Sequence, residues 1–142
     1  MTSRSRYAAY ALCIDGGRIL LTRIWENDPG AGKWTLPGGK IEWLEDPATA
    51  VHRELWEEAG LAGEIIRPVG VDTRVFPPWR GHGELHTVRF VFEVRTTGTP
   101  EVKEVDSSTV DAAWFDLADL DSIDTTTLVT AALAMLETVD LA

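Results

Sequence analysis

The chain has 142 residues, 44% of them hydrophobic and 25% charged, a balance that suits one compact domain and excludes a disordered, fibrous or low-complexity protein. Its formal net charge of −10, from 23 acidic and 13 basic residues, argues against polyanionic partners such as nucleic acid or an anionic membrane surface. A small phosphate ligand stays open, because a bound divalent cation inverts the local field.

In chain order, the basic start Met1-Thr-Ser-Arg-Ser-Arg6 is not followed by the apolar core and cleavage site of a leader. No stretch approaches the roughly 18 apolar residues of a membrane span, so a cytoplasmic protein is expected. Residues 7–14 and 18–24 are apolar runs split by Asp15-Gly16-Gly17, a spacing that predicts a β-hairpin. The lone cysteine, Cys13, lies in the first run and reads as a small core hydrophobe. Residues 26–33 are dense in turn formers and predict a loop, followed by a short extended piece from Trp34 to Gly39.

A helix is then clearly punctuated. Asp46 serves as N-cap, Pro47 takes the first helical position, the helix runs to Ala59, and Gly60 supplies a left-handed stop. Strands are predicted over 64–76 and 85–95, divided by the loop from Pro77 to Gly83. A short strand at 112–115 and an amphipathic helix over 124–139 close a single α+β domain spanning 1–142.

The chemistry concentrates between Gly39 and Leu61. On a helix, Glu54, Glu57 and Glu58 fall within an arc of about 100°, and like charges three and four residues apart repel. A hard divalent cation such as Mg²⁺, which takes oxygen ligands and keeps sites for water and phosphate, is the natural compensation. Ala48, Val51, Leu55 and Ala59 make an apolar stripe beside this arc, so the helix can dock while presenting its acids at a cleft edge. Arg53 projects close to Glu57, and Glu45 sits just before the N-cap.

This segment resembles the Nudix box, Gly-x5-Glu-x7-Arg-Glu-U-x-Glu-Glu-x-Gly-U, matching at Gly39, Glu45, Arg53, Glu54, Leu55, Glu57, Glu58, Gly60 and Leu61 without gap or mismatch. The lead-in from Gly32 to Gly39 and the order of elements also look like that family. The resemblance implies an α/β/α sandwich with a central mixed β-sheet, one box helix and one C-terminal helix. It implies Mg²⁺ or Mn²⁺ held by Glu54, Glu57, Glu58 and the Gly38 carbonyl, with Glu54 a ligand or the base that activates water. Glu54, Glu57 and Arg53 form the implied catalytic set, and Gly39 and Glu45, with Arg53, brace the loop and helix. The implied reaction is hydrolysis of a phosphoanhydride in a nucleoside diphosphate linked to another group.

Trp43-Leu44 departs from the small turn formers that many family members carry there, so Trp43 is a candidate for contact with substrate or a second subunit. A further base from outside the box is expected at Glu101 or Glu104, with Glu84 behind them. Arg23, at the end of a strand, is a candidate phosphate contact, and Trp79 a candidate for stacking on a base. His82 and His86 are read as surface or substrate-edge groups rather than a metal pair, since their run looks extended, and His52 as solvent-facing. Pro77 and Pro78 follow the box where proteins similar to ADP-ribose hydrolases carry a proline, which favours ADP-ribose or a nucleotide sugar over a nucleoside triphosphate. A catalytically inactive nucleotide-binding module is the alternative; the intact carboxylate set argues against it. A monomer or homodimer acting on a small-molecule nucleotide is expected.

Overall fold

Cys13 divides the first apolar run between two sheets. The computed structural model describes residues 2–25, 31–104 and 109–141. Strand β1 (Arg4–Leu12) lies in one sheet, while β2 (Ile14–Asp15) turns into another and pairs with β3 (Arg18–Ile24). The expected hairpin therefore exists only at its tip, where Ile14 faces Ile19 and Asp15 faces Arg18. The reason is that both edges of β1 are taken, antiparallel by β5 (Gly38–Lys40) and parallel by β7 (Leu85–Arg95). Cys13 is fully buried at the crossing, and burial pushes its thiol up to about 12, as befits an inert core group.

The first sheet is mixed, with order β5-β1-β7-β6, where β6 is Glu64–Phe76. The second has β3 between β8 (Thr109–Asp116) on one edge and β2 with β4 (Trp34–Thr35) on the other. Strand β8 is longer than the predicted 112–115 because it pairs with β3 along nearly its whole length. Helix α1 (Pro47–Ala59) covers one side, burying Ala50, Val51, Leu55 and Ala59 with Ala9, Ala11, Cys13, Leu20 and Val94. Ala50 rather than Ala48 completes its apolar stripe. Full burial of Val51 and Leu55 contributes about 1.5–3 kcal/mol each.

A 3₁₀ turn (Leu117–Ser122) leads to α2 (Thr127–Leu141), which packs Leu128, Val129 and Ala132 against Leu12, Leu21, Leu36, Val69 and Val91. This helix starts later than the predicted 124 because the chain before it pairs with β4. Trp34 N donates to Asp124 O at 2.9 Å, and Thr126 N donates to Trp34 O at 2.9 Å. Of the predicted loop over 26–33, residues 26–30 lie outside the described residues. No described helix is long and apolar enough to cross a membrane.

Candidate functional site

The site is built on α1, whose ends form as its sequence dictates. Asp46 Oδ1 accepts from Thr49 N at 2.8 Å, Pro47 opens the first turn, and Gly60 at φ 65° donates its N–H to Trp56 O at 2.8 Å. The two glycines before the helix permit close approach. A side chain at Gly38, whose φ is 152°, would overlap Ala9 O and the Tyr10 ring, and one at Gly39 would lie 3.1 Å from Glu54 Oε1.

Arg53 ties the acids together. Its Nε and Nη2 donate to the two oxygens of Glu45 at 2.8 and 2.9 Å, and Nη1 donates to Glu54 at 3.0 Å and Glu57 at 3.1 Å. Nη2 also reaches Lys40 O at 3.0 Å, so the guanidinium is spent on the helix and its preceding loop. The hydrogen bonds from Arg53 hold Glu45 below its ordinary range, and Glu45 in return holds the guanidinium more firmly charged. A turn places Glu45: Glu45 N donates to Glu42 O at 3.0 Å, with Leu44 at φ 64° and both Trp43 and Leu44 88% exposed.

The other carboxylates are under electrostatic load. Glu58 is 5% exposed, accepting from Gly38 N at 2.7 Å and from the Thr109 hydroxyl at 2.6 Å. Burial, aided by repulsion from Glu54, pushes it up to about 8 despite those bonds. Burial also raises Glu54 to about 7, against the pull of Arg53. Glu57 is raised by burial and by a hydrogen bond shared with Glu104. Glu104 is brought there by the chain after Gly60, where Glu104 N donates to Glu57 O at 3.0 Å.

Of the two acids expected outside the box, the structure brings only Glu104 to this cluster. Glu101 caps the helix through its backbone, donating to Ala59 O at 2.7 Å, while its exposed carboxylate meets Lys103 Nζ at 3.3 Å. Glu84 lies in neither place: it is exposed, and its carbonyl accepts from Arg4 N at 3.0 Å.

Glu58, Gly38 and Thr109 open into a cleft of about 610 Å³ between the two sheets, extending to the turn that carries Trp79. Trp79 and His82 exchange backbone hydrogen bonds at 3.1 and 2.9 Å around Arg80 and Gly81, both at positive φ, which is the two-residue turn favoured in tight hairpins. Trp79 is 41% exposed at the rim, with the Arg80 guanidinium 5.5 Å from its ring. Arg23 lies outside the lining. Alternation on β3 turns Thr22 and Ile24 inward, and Arg23 Nε instead meets Gly32 O at 3.4 Å. His82 lines the cleft, whereas His86 is exposed on the strand face opposite Leu85, and His52 is exposed on α1.

Sequence reasoning missed the floor of this cleft, to which Arg4, Arg6, Tyr10, Arg74 and Arg89 contribute. The signal lies in Arg4, Arg6 and Tyr10, an even-numbered face in an alternating strand whose basic residues read at first as a leader-like start.

Among the described residues, no three His, Cys, Asp or Glu side chains are gathered to hold a metal ion. The acids instead lie on protein donors, with Glu54 and Glu57 on Arg53 and Glu58 on Gly38 and Thr109. Their chemistry nevertheless fits a hard divalent cation: Glu54, Glu57, Glu58 and Glu104 are oxygen donors brought together, and burial first, with repulsion among them second, makes three of them hold protons abnormally well.

The fold and this box of acids define a protein class, and comparison with known proteins gives the same class: the chain belongs to the NUDIX domain family, whose model matches residues 4–136. It is 38% identical over 91 residues to an 8-oxo-dGDP phosphatase, NUDT18, of Homo sapiens, a match covering 63% of this chain and 25% of that protein. It is 34% identical over 119 residues to an ADP-ribose pyrophosphatase of Methanocaldococcus jannaschii, covering 80% of this chain and 66% of the relative. The chain thus spans between a quarter and two thirds of the length of these relatives. A MutT NUDIX hydrolase from Burkholderia pseudomallei has the same fold, with TM-score 0.71, 32% identity, and coverage of 94% and 97% of the two chains.

Proposed function

We propose that this chain is a Mg²⁺- or Mn²⁺-dependent pyrophosphohydrolase that cleaves the phosphoanhydride of a nucleoside diphosphate linked to another moiety. The observation that carries this reading is the convergence of Glu54, Glu57 and Glu58 of α1 with Glu104 beside the cleft, which Glu58 lines. The names of the relatives, a hydrolase of oxidised nucleotides and one of ADP-ribose, support the same reaction class.

Glu57 and Glu58, with Glu54 and the Gly38 carbonyl, are the groups that would hold the ion. When bound, such an ion neutralises diphosphate charge and acidifies water. Glu54, on the helix face that carries Glu57 and Glu58, is the candidate to accept the proton of the attacking water, and Glu104, beside Glu57, is the second candidate base. Attack on one phosphorus expels the other phosphate, and the protein's contribution is chiefly position and charge. Arg53 acts through the carboxylates it holds, so its role is to position them. Trp79 at the cleft rim offers a face to a base.

ADP-ribose, a nucleotide sugar or a nucleoside triphosphate is the substrate, in a cytoplasmic monomer or homodimer without nucleic acid as partner. The test is incubation with Mg²⁺ and a panel of these compounds and dinucleoside polyphosphates, with product identification, alongside Glu57→Gln. Turnover by the wild type and its loss in the variant are expected. Turnover that survives Glu57→Gln removes the metal assignment, and silence across the panel favours a nucleotide-binding module.

A further inference from the structure

Strand register lays a basic row across the cleft floor. Arg6 of β1 pairs with Thr87 of β7, and Thr87 pairs with Arg74 of β6, so two arginines flank one threonine on the same sheet face. The next row toward the rim is Arg4, Leu85 and Phe76. The row on the other side holds Arg89 and Asp72, locked together at 2.7 and 2.8 Å with Arg89 only 6% exposed. Arg89 is therefore neutralised, but among the described residues neither Arg4, Arg6 nor Arg74 forms an ion pair.

Two polar atoms of this row are unsatisfied. Arg6 Nε and Thr87 Oγ1 are buried without a hydrogen-bond partner, and Thr87 is 0% exposed. Buried polar groups are normally paired, so the protein's own groups leave this row unsatisfied; Thr87 lies beneath the cleft surface, and Arg6 and Arg74 are the members of the row that line it. Arg74 is held ready, with Nη1 donating to the Thr127 hydroxyl at 3.1 Å and its guanidinium 5.2 Å from the Phe76 ring. Among the described residues the single acid that lines the cleft is Glu58, and its oxygens are on Gly38 N and Thr109. A chain of net charge −10 thus turns toward its cleft three arginines, Arg4, Arg6 and Arg74, that form no ion pair among the described residues.

We propose that the moiety seated on this floor carries its own negative charge, a phosphate or a carboxylate beyond the diphosphate, and that Arg6 and Arg74 are the residues that select it. This rests on the pyrophosphohydrolase reading for the reaction, but the preference is one of binding and is measurable without turnover. Flanking strands of a sheet put the two arginine backbones about 10 Å apart, within reach of one anionic group held between their side chains. Two arginines satisfy such a group by charge-assisted bonds, whereas a neutral sugar leaves their charges uncompensated.

The experiment pairs ligands that share a diphosphate and differ at the far group: a nucleotide sugar with its uronic acid, and ADP-ribose with ADP-ribose bearing one more phosphate on its terminal ribose. Affinity is measured by calorimetry in Mg²⁺, and kcat and KM are measured where turnover occurs. The charged member is expected to bind about tenfold tighter or better, with a steeper salt dependence. In Arg6→Gln and in Arg74→Gln the ratio within each pair falls toward one, through KM rather than kcat. Arg6→Lys, which keeps the charge but not the fork, gives an intermediate ratio if the Gln variant fails to fold, and Arg95→Gln at the far end of β7 leaves the ratio intact. Preference for the uronic acid alone, or for the phosphate alone, identifies which anion the floor takes. Equal affinity within both pairs overturns the proposal, as does an equal loss for both members in the variants, since the arginines would then clasp only the diphosphate. Absence of turnover with the binding preference intact overturns the hydrolase reading and not this one.

Discussion

Arg53 grips Glu45 with two parallel hydrogen bonds, 2.8 and 2.9 Å long, and with the remaining nitrogen it holds Glu54 and Glu57 of its own helix. One planar cation thus sets the distance between the loop before α1 and the acids on it. A lysine cannot reproduce this fork. Arg53→Lys is expected to lower kcat by about 10–100-fold while raising KM little, and to cost about 1–3 kcal/mol of stability through the partly freed Glu45. Steady-state kinetics and thermal unfolding check both; unchanged kcat would show that the carboxylates position themselves.

Glu104 and Glu101 lie three residues apart but in different surroundings, and their variants are expected to separate. Glu104→Gln, beside Glu57, lowers turnover about 10²-fold or more if it takes the proton, and Glu101→Gln, paired at the surface with Lys103, stays within about twofold of wild type. Equal effects at the two positions would sink the assignment of Glu104.

The metal-free protein is expected to weaken as pH rises. Glu54 at about 7 and Glu58 at about 8 hold protons in the folded state that an unfolded carboxylate near 4.5 has already released. The unfolded chain therefore binds fewer protons through that window, and stability falls from about pH 5 to pH 8. Thermal unfolding in a chelator at the two ends of this range should show a drop of about 3 °C or more, with added Mg²⁺ or Mn²⁺ recovering most of it at the alkaline end. A flat profile without metal argues that the acids are already compensated by Arg53.

Gly60→Ala probes the link between helix end and loop. The residue sits at φ 65°, and a methyl group there would lie 2.6 Å from Glu101 O, on the segment that carries Glu104. The substitution is expected to cost about 1–3 kcal/mol and to reduce turnover as well, because the loop must move. Loss of stability with full activity would show that Glu104 does not need this anchor.

Leu44→Gly should act in the opposite direction. Leu44 holds a left-handed φ of 64° in an exposed turn, where a side chain costs about 1–2 kcal/mol and glycine's unfolded-state entropy returns roughly half of that. A rise in Tm of about 2 °C with unchanged kcat is expected from differential scanning calorimetry. A loss of activity would assign the Trp43-Leu44 tip to the substrate or to a second subunit.

The helix of the site was legible because its information is local. Asp46, Pro47 and Gly60 announce its ends, and a period of 3.6 residues places Glu54, Glu57 and Glu58 together with Arg53 from spacing alone. The tertiary structure decided what spacing does not encode. It moved β1 out of the expected hairpin, buried Glu58 between Gly38 and Thr109, and set Glu104 rather than Glu101 beside Glu57. It also brought Arg6 of β1 across Thr87 to Arg74 of β6, joining the start of the chain to two later strands. Helix periodicity and capping act over a few residues, whereas strand partners, desolvation and the meeting of distant charges depend on which surfaces the whole chain brings together, and no short stretch of sequence carries that.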